Sequence, residues 1–165
     1  MSISDDSIRR SHKGRAGPAL TGRQTMRVMV MGKATDGTEN GASIDPVAFE
    51  AMSKFNEELI NAGVLVALGS LTPSSSGKRI VLDGESRTVI DGPFAETKEV
   101  IAGFLILEVE DMEEAMAWVM RAPNCAPGRS EVEIRPLMGM AEFEAVQTPE
   151  TKVIRDRIRA KLSAA

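Results

Sequence analysis

The run Val100 to Val109 (VIAGFLILEV) constrains the fold more than any other stretch of the chain. It has the length of a strand and is apolar at both alternating sets of positions, with Glu108 marking its end. A strand with one wet face alternates apolar and polar residues. This one reads as a central strand covered on both faces.

Three further segments have strand character. Met26 to Met31 (MRVMVM) and Val64 to Leu71 (VLVALGSL) are short apolar runs, and Glu131 to Leu137 (EVEIRPL) alternates charge with apolar residues as a half-exposed strand does. Gly32 to Ser43, with the turn pairs Asp36-Gly37 and Asn40-Gly41, reads as a loop. Asp45 before Pro46 is an N-cap followed by proline at the first helical position. From there Ala48, Met52, Phe55, Leu59 and Ala62 recur at helical spacing, and Gly63 supplies the stop. A second helix is expected from Asp111. Glu114 makes a capping-box-like pair with it, Met112, Ala115, Met116 and Val119 form the apolar stripe, Trp118 packs beside that stripe, and Pro123 ends the helix. Pro73 to Gly77 reads as a loop. Arg79 to Asp83 and Arg87 to Ile90 read as two short strands joined by the hairpin signal Asp83-Gly84-Glu85-Ser86.

The order is β-α-β, a hairpin, then β-α-β. Two such halves predict an α+β, ferredoxin-like antiparallel sheet with two helices on one face. Val28, Val30, Leu65, Ala67, Phe104 and Ile106 are expected to line one sheet face or the other. The face without helices would be apolar and bare, which a monomer rarely tolerates, so a homodimer through stacked sheet faces is expected.

Charge and composition bound the partners. The chain of 165 residues carries a net charge of −4. Residues 1–25 hold Arg9, Arg10, Lys13, Arg15 and Arg23 against Asp5 and Asp6, a net +3, which leaves −7 on the rest. An acidic body argues against nucleic acid on the folded part. Residues 1–25 hold few large apolar side chains and are read as a disordered leader, or as an extension upstream of a natural start at Met26; a basic nucleic-acid-binding arm is the functional alternative. No apolar run approaches the ~20 residues that span a bilayer, so no membrane is expected. The single cysteine, Cys125, excludes an internal disulfide and fits a reducing cytoplasm. The ten methionines are read as core filling. Residues 144–165 form an extension in which Thr148-Pro149 starts a helix to about Leu162, with Ile154, Ile158 and Leu162 on a thin stripe and Lys152, Arg155, Arg157, Arg159 and Lys161 making it basic.

The candidate site is the stiff corner Asp91-Gly92-Pro93-Phe94-Ala95-Glu96-Thr97-Lys98-Glu99, which joins strands and aims a carboxylate. The only histidine, His12, lies in the leader, so Cys125 has no nucleophile's partner and proton transfer would fall to carboxylates or lysine. Asp91 with Lys33 or Glu96 is the acid/base set on that reading, with Lys98 and Glu39 nearby in sequence. The structural reading has Asp91 capping its own turn and Glu96, Lys98 and Lys33 as ordinary charges. No metal-ligand set, dinucleotide fingerprint or complete phosphate loop is present, the Ser74-Ser75-Ser76-Gly77-Lys78 stretch lacking the first glycine, so no cofactor is expected.

That corner, followed by Ile101-Ala102-Gly103-Phe104, resembles the signature of the DGPF-motif subgroup of the YCII-related family. Asn56-Glu57-Glu58-Leu59, Ala62-Gly63-Val64-Leu65 and Glu131-Val132-Glu133-Ile134-Arg135-Pro136 support the resemblance, which covers the body, taken as residues 26–143. It implies a ferredoxin-like domain that pairs into a dimeric α/β barrel, and a bacterial cytoplasmic protein with no settled activity. Relatives outside the subgroup act as small lyase-like enzymes with a His-Asp pair in the dimer cleft. Asp91 matches the acidic position, but the body here has no histidine. Subgroup members often lie beside sigma-factor genes, which suggests a regulatory link.

Three functions stay open on the sequence. The first is a homodimeric small-molecule-binding module with its cleft beside Asp91, using Asp91, Pro93, Phe94, Lys98 and Phe104. The second is a lyase or isomerase using Asp91 with Lys33 or Glu96. The third is an interaction adaptor tied to sigma-factor regulation and using the basic helix.

Overall fold

The computed structural model describes residues 25–95, 99–126, 128–139 and 141–162. The expected leader, apart from Thr25, and the site residues Glu96 and Lys98 lie outside the described residues. The elements run β1 (Met26–Lys33), α1 (Asp36–Glu39), α2 (Pro46–Asn61), β2 (Leu65–Ser70), β3 (Lys78–Asp83), β4 (Ser86–Asp91), β5 (Ile101–Val109), α3 (Met112–Val119), β6 (Val132–Pro136) and α4 (Pro149–Leu162). Short 3₁₀ turns occupy Ser74–Ser76 and Ala141–Val146.

The fold is α+β. Four strands form one sheet in the order β2-β5-β1-β6, every pairing antiparallel, and its edges stay open rather than closing into a barrel. The long apolar run sits at an inner position as β5, between β2 and β1. Register pairs Val28 with Leu107, Val30 with Leu105 and Met26 with Val109, which puts these side chains on one face. Phe55 and Leu59 of α2 and Ala115 of α3 meet that face, and Leu59 and Leu107 are fully buried. The main core cluster therefore lies between the sheet and these two helices.

The other face is built from the alternate residues. One row across the strands reads Ala67, Ile106, Met29, Arg135; the next reads Gly69, Phe104, Met31, Glu133. Of the six residues expected on the sheet faces, Val28, Val30 and Leu65 belong to the core and Ala67, Phe104 and Ile106 to this second face. The Phe104 ring lies against Gly69, where a Cβ would come within 2.8 Å of it.

Local chemistry explains the elements. Asp45 caps α2 by accepting from the Val47 N–H at 3.1 Å, and Gly63 leaves the helix at φ 74°. Asp111 caps α3, accepting from the Glu114 N–H at 2.9 Å. Three expectations need correction. The segment read as a loop contains α1, because Thr35 and Thr38 cap one another reciprocally. The second helix stops at Val119, before the expected Pro123, since the N–H groups of Arg121 and Ala122 bond only three residues back and tighten the turn. Met116, placed on the apolar stripe, is exposed, while Trp118 packs against the core.

Strands β3 and β4 form a separate two-stranded sheet, with Lys78 paired to Asp91 and Ile80 to Val89. All of its residues are exposed, Ile80, Leu82 and Val89 among them. Helix α4 forms where expected and buries no residue, leaving Val153, Ile154, Ile158 and Leu162 exposed.

Candidate functional site

A ribbon of two strands is marginal by itself in water, so its root must be fastened. The fastening is the Asp91–Phe94 corner. Asp91 forms an ion pair with Lys78 directly across the ladder, and the Gly92 N–H donates to the Gly77 carbonyl at 3.1 Å. The Gly92-Pro93 peptide is cis. Gly92 lies so close to the 3₁₀ turn that a Cβ there would sit 1.8 Å from the Ser74 carbonyl oxygen. Only glycine fits that approach.

Ser74 is the hub of this junction and is buried. Its hydroxyl accepts from the Phe94 N–H at 3.1 Å and donates to the Glu39 carboxylate, which also accepts from the Ser74 N–H at 3.1 Å. The short helix α1, the serine turn and the Gly-Pro corner are thus joined by one small network. A buried serine whose N–H and hydroxyl are both satisfied is well placed to hold such a junction rigid.

Beneath the corner is a cavity of about 360 Å³ lined by Leu71, Thr72, Pro73, Ser74, Gly77, Arg79, Phe94, Glu99, Val100 and Ile101. Its walls are mainly apolar. Arg79 lies over the Phe94 ring, 4.3 Å from guanidinium carbon to centroid. At an exposed arginine such stacking contributes about 0.5–1 kcal/mol.

The expected site residues fall into separate places. Phe94 lines the cavity. Asp91 stands outside it, its side chain 75% exposed and held by Lys78. Pro93 forms the bend, and Phe104 lies on the second sheet face. Lys33 is ion-paired with Glu133 at 2.8 Å, not with Asp91. Glu133 raises the Lys33 ammonium above the usual lysine value through that hydrogen bond, with Glu99 and Glu131 adding to it and desolvation opposing. Lys33 reciprocally holds Glu133 below the usual carboxylate range. A lysine serving as a base needs a lowered value, so its environment here runs the other way. Desolvation, with Asp45 adding, raises the Cys125 thiol and leaves it less nucleophilic.

Sequence reasoning missed Arg79, Thr72 and Ser74 as a group and treated Glu39 only as a neighbour of Lys33. One signal was available. A Gly-Pro corner needs a surface to lie on, and the serine-rich turn before the hairpin was the nearest small-residue segment. Among the described residues no cluster of three or more His, Cys, Asp or Glu could hold a metal, and no helix is long and apolar enough to cross a membrane.

Residues 26–138 match the sequence model of the YCII-related domain. A protein of Rhizobium meliloti (strain 1021), itself described as uncharacterised, is 30% identical over 86 residues, covering 52% of this chain and 69% of the relative.

Proposed function

The chain belongs to the YCII-related family, and from that premise we propose that it is a homodimeric module that binds a small molecule under its Gly-Pro corner. The observation that carries this reading is the cavity of about 360 Å³ walled by Leu71, Pro73, Phe94, Val100 and Ile101. It is open to solvent and mainly apolar, and its volume lies in the range of small-ligand sites. The motif Asp91-Gly92-Pro93-Phe94 supports a place in the DGPF-motif subgroup. In this reading Asp91 and Lys78 close the hairpin root beside the cavity, Gly92 and Pro93 shape its rim, and Phe94 is a wall. Asp91 is thus structural to the site rather than its chemical centre.

The sheet order β2-β5-β1-β6 with two helices on one face supports the ferredoxin-like reading. The second face presents Met29, Met31, Ala67, Phe104 and Ile106, fringed by the Arg27–Glu108 and Lys33–Glu133 ion pairs. An apolar patch with a charged rim has the anatomy of an interface, and a second copy stacked on it would complete a dimeric barrel.

Native mass spectrometry of the full chain tests both halves of the reading. The expected spectrum is a dimer that retains a bound small molecule, lost in Phe94→Ala. A monomer at micromolar concentration would remove the dimer. A wild-type chain that binds nothing from a broad metabolite mixture would remove the ligand site.

A further inference from the structure

We infer that the ligand of this cavity is a small apolar carboxylate, held at its charged end by Arg79. The inference rests on the binding reading above and names the chemistry of what binds. Two polar groups lining the cavity are unspent. Among the described residues Arg79 has no carboxylate partner; its one recorded contact is with the Phe94 ring. Thr72 lines the same wall, and its hydroxyl makes no hydrogen bond among the described residues.

The other polar groups are engaged elsewhere. Ser74 spends its hydroxyl on Glu39 and the Phe94 N–H. Glu99 also lines the cavity and opposes an anion there, since Lys33, on which it acts, is already ion-paired with Glu133; the guanidinium of Arg79 has to outweigh it. What remains is a planar guanidinium, stacked on a ring that limits its motion, and a nearby hydroxyl. A guanidinium fork matches a carboxylate with two parallel hydrogen bonds, and a ring beneath it leaves its edge donors free. Leu71, Pro73, Phe94, Val100 and Ile101 then take the apolar body of the acid.

The test compares an acid with its neutral isostere. Phenylacetate and phenylacetamide are titrated into the full-length chain and followed by amide chemical shifts at Leu71, Thr72, Gly77 and Val100. The acid is expected to bind about tenfold or more tightly than the amide, as a charged hydrogen-bonded pair requires. Arg79→Met keeps apolar contact with Phe94 and should remove that preference, leaving amide binding unchanged. Arg79→Lys should restore part of it. Equal binding of acid and amide, or a preference that survives in Arg79→Met, overturns the carboxylate assignment while leaving the cavity as a binding site. Binding of neither compound overturns both.

Discussion

The two faces of the four-stranded sheet are made by alternate residues of the same strands, yet they differ in kind. On one face Val28, Val30, Leu107 and Val109 are buried under Phe55, Leu59 and Ala115. On the other, Met29, Phe104 and Ile106 are half-buried, Met31 is buried, and the same rows end in Arg135 and Glu133. The first face excludes charge altogether. The second keeps a soft centre of methionine and phenylalanine and places its charges at the margin. Folding of one chain accounts for the first pattern; the second is the pattern that the proposed dimer would use.

Substitutions that separate the faces break or sharpen this comparison. The largest effect is expected from Leu107→Ala, which empties a fully buried position. It should lower stability by about 2–5 kcal/mol in urea denaturation. A loss below 1 kcal/mol would mean that the helix-covered face is not the main core. On the opposite face, Ile106→Asp should leave the monomer folded and weaken the dimer by about 2 kcal/mol or more, roughly thirtyfold in Kd by analytical ultracentrifugation. An unchanged dimer would move the interface off the sheet.

Away from both faces, Gly92→Ala forces a methyl group against the Ser74 carbonyl. Overpacking of this sort costs about 1–3 kcal/mol, and ligand binding should fall with it, read by thermal shift with and without ligand. Intact binding in Gly92→Ala would detach the corner from the cavity.

The smallest effect lies at the rim. Glu133 has a lowered folded value, so its contribution is present above the ordinary carboxylate range and fades as pH falls through that lowered value. Lys33 has a raised one, so its contribution is complete below the ordinary lysine value and fades as pH rises through the raised value. The stability difference between wild type and Glu133→Gln should therefore be flat near neutrality and vanish in acid. A difference that persists below the carboxylate range would show that the pair is not its source.

The fold was legible where local chemistry and periodicity agreed. Asp45-Pro46 and Asp111 marked true helix starts, and Asp83-Gly84-Glu85-Ser86 marked a true hairpin. Helix α1 was less legible because its cap pairs two threonines instead of threonine with glutamate. The site was legible only as a location. Asp91 looked like the reactive group because a carboxylate beside a rigid bend suggests aim, whereas the structure gives it to Lys78, a partner thirteen residues upstream.

By itself the sequence determined the six strands, the helices α2, α3 and α4, their order and the place of β5 inside the sheet, because periodicity and capping are properties of neighbouring residues. It also determined that the body has no imidazole to offer. Only the tertiary structure decided which residues meet. Strand register sent Phe104 to the second face, the approach of Gly92 to Ser74 closed the corner, and Arg79 came to rest on Phe94. Those contacts join residues brought together by strand pairing and turn packing, and no local pattern records them.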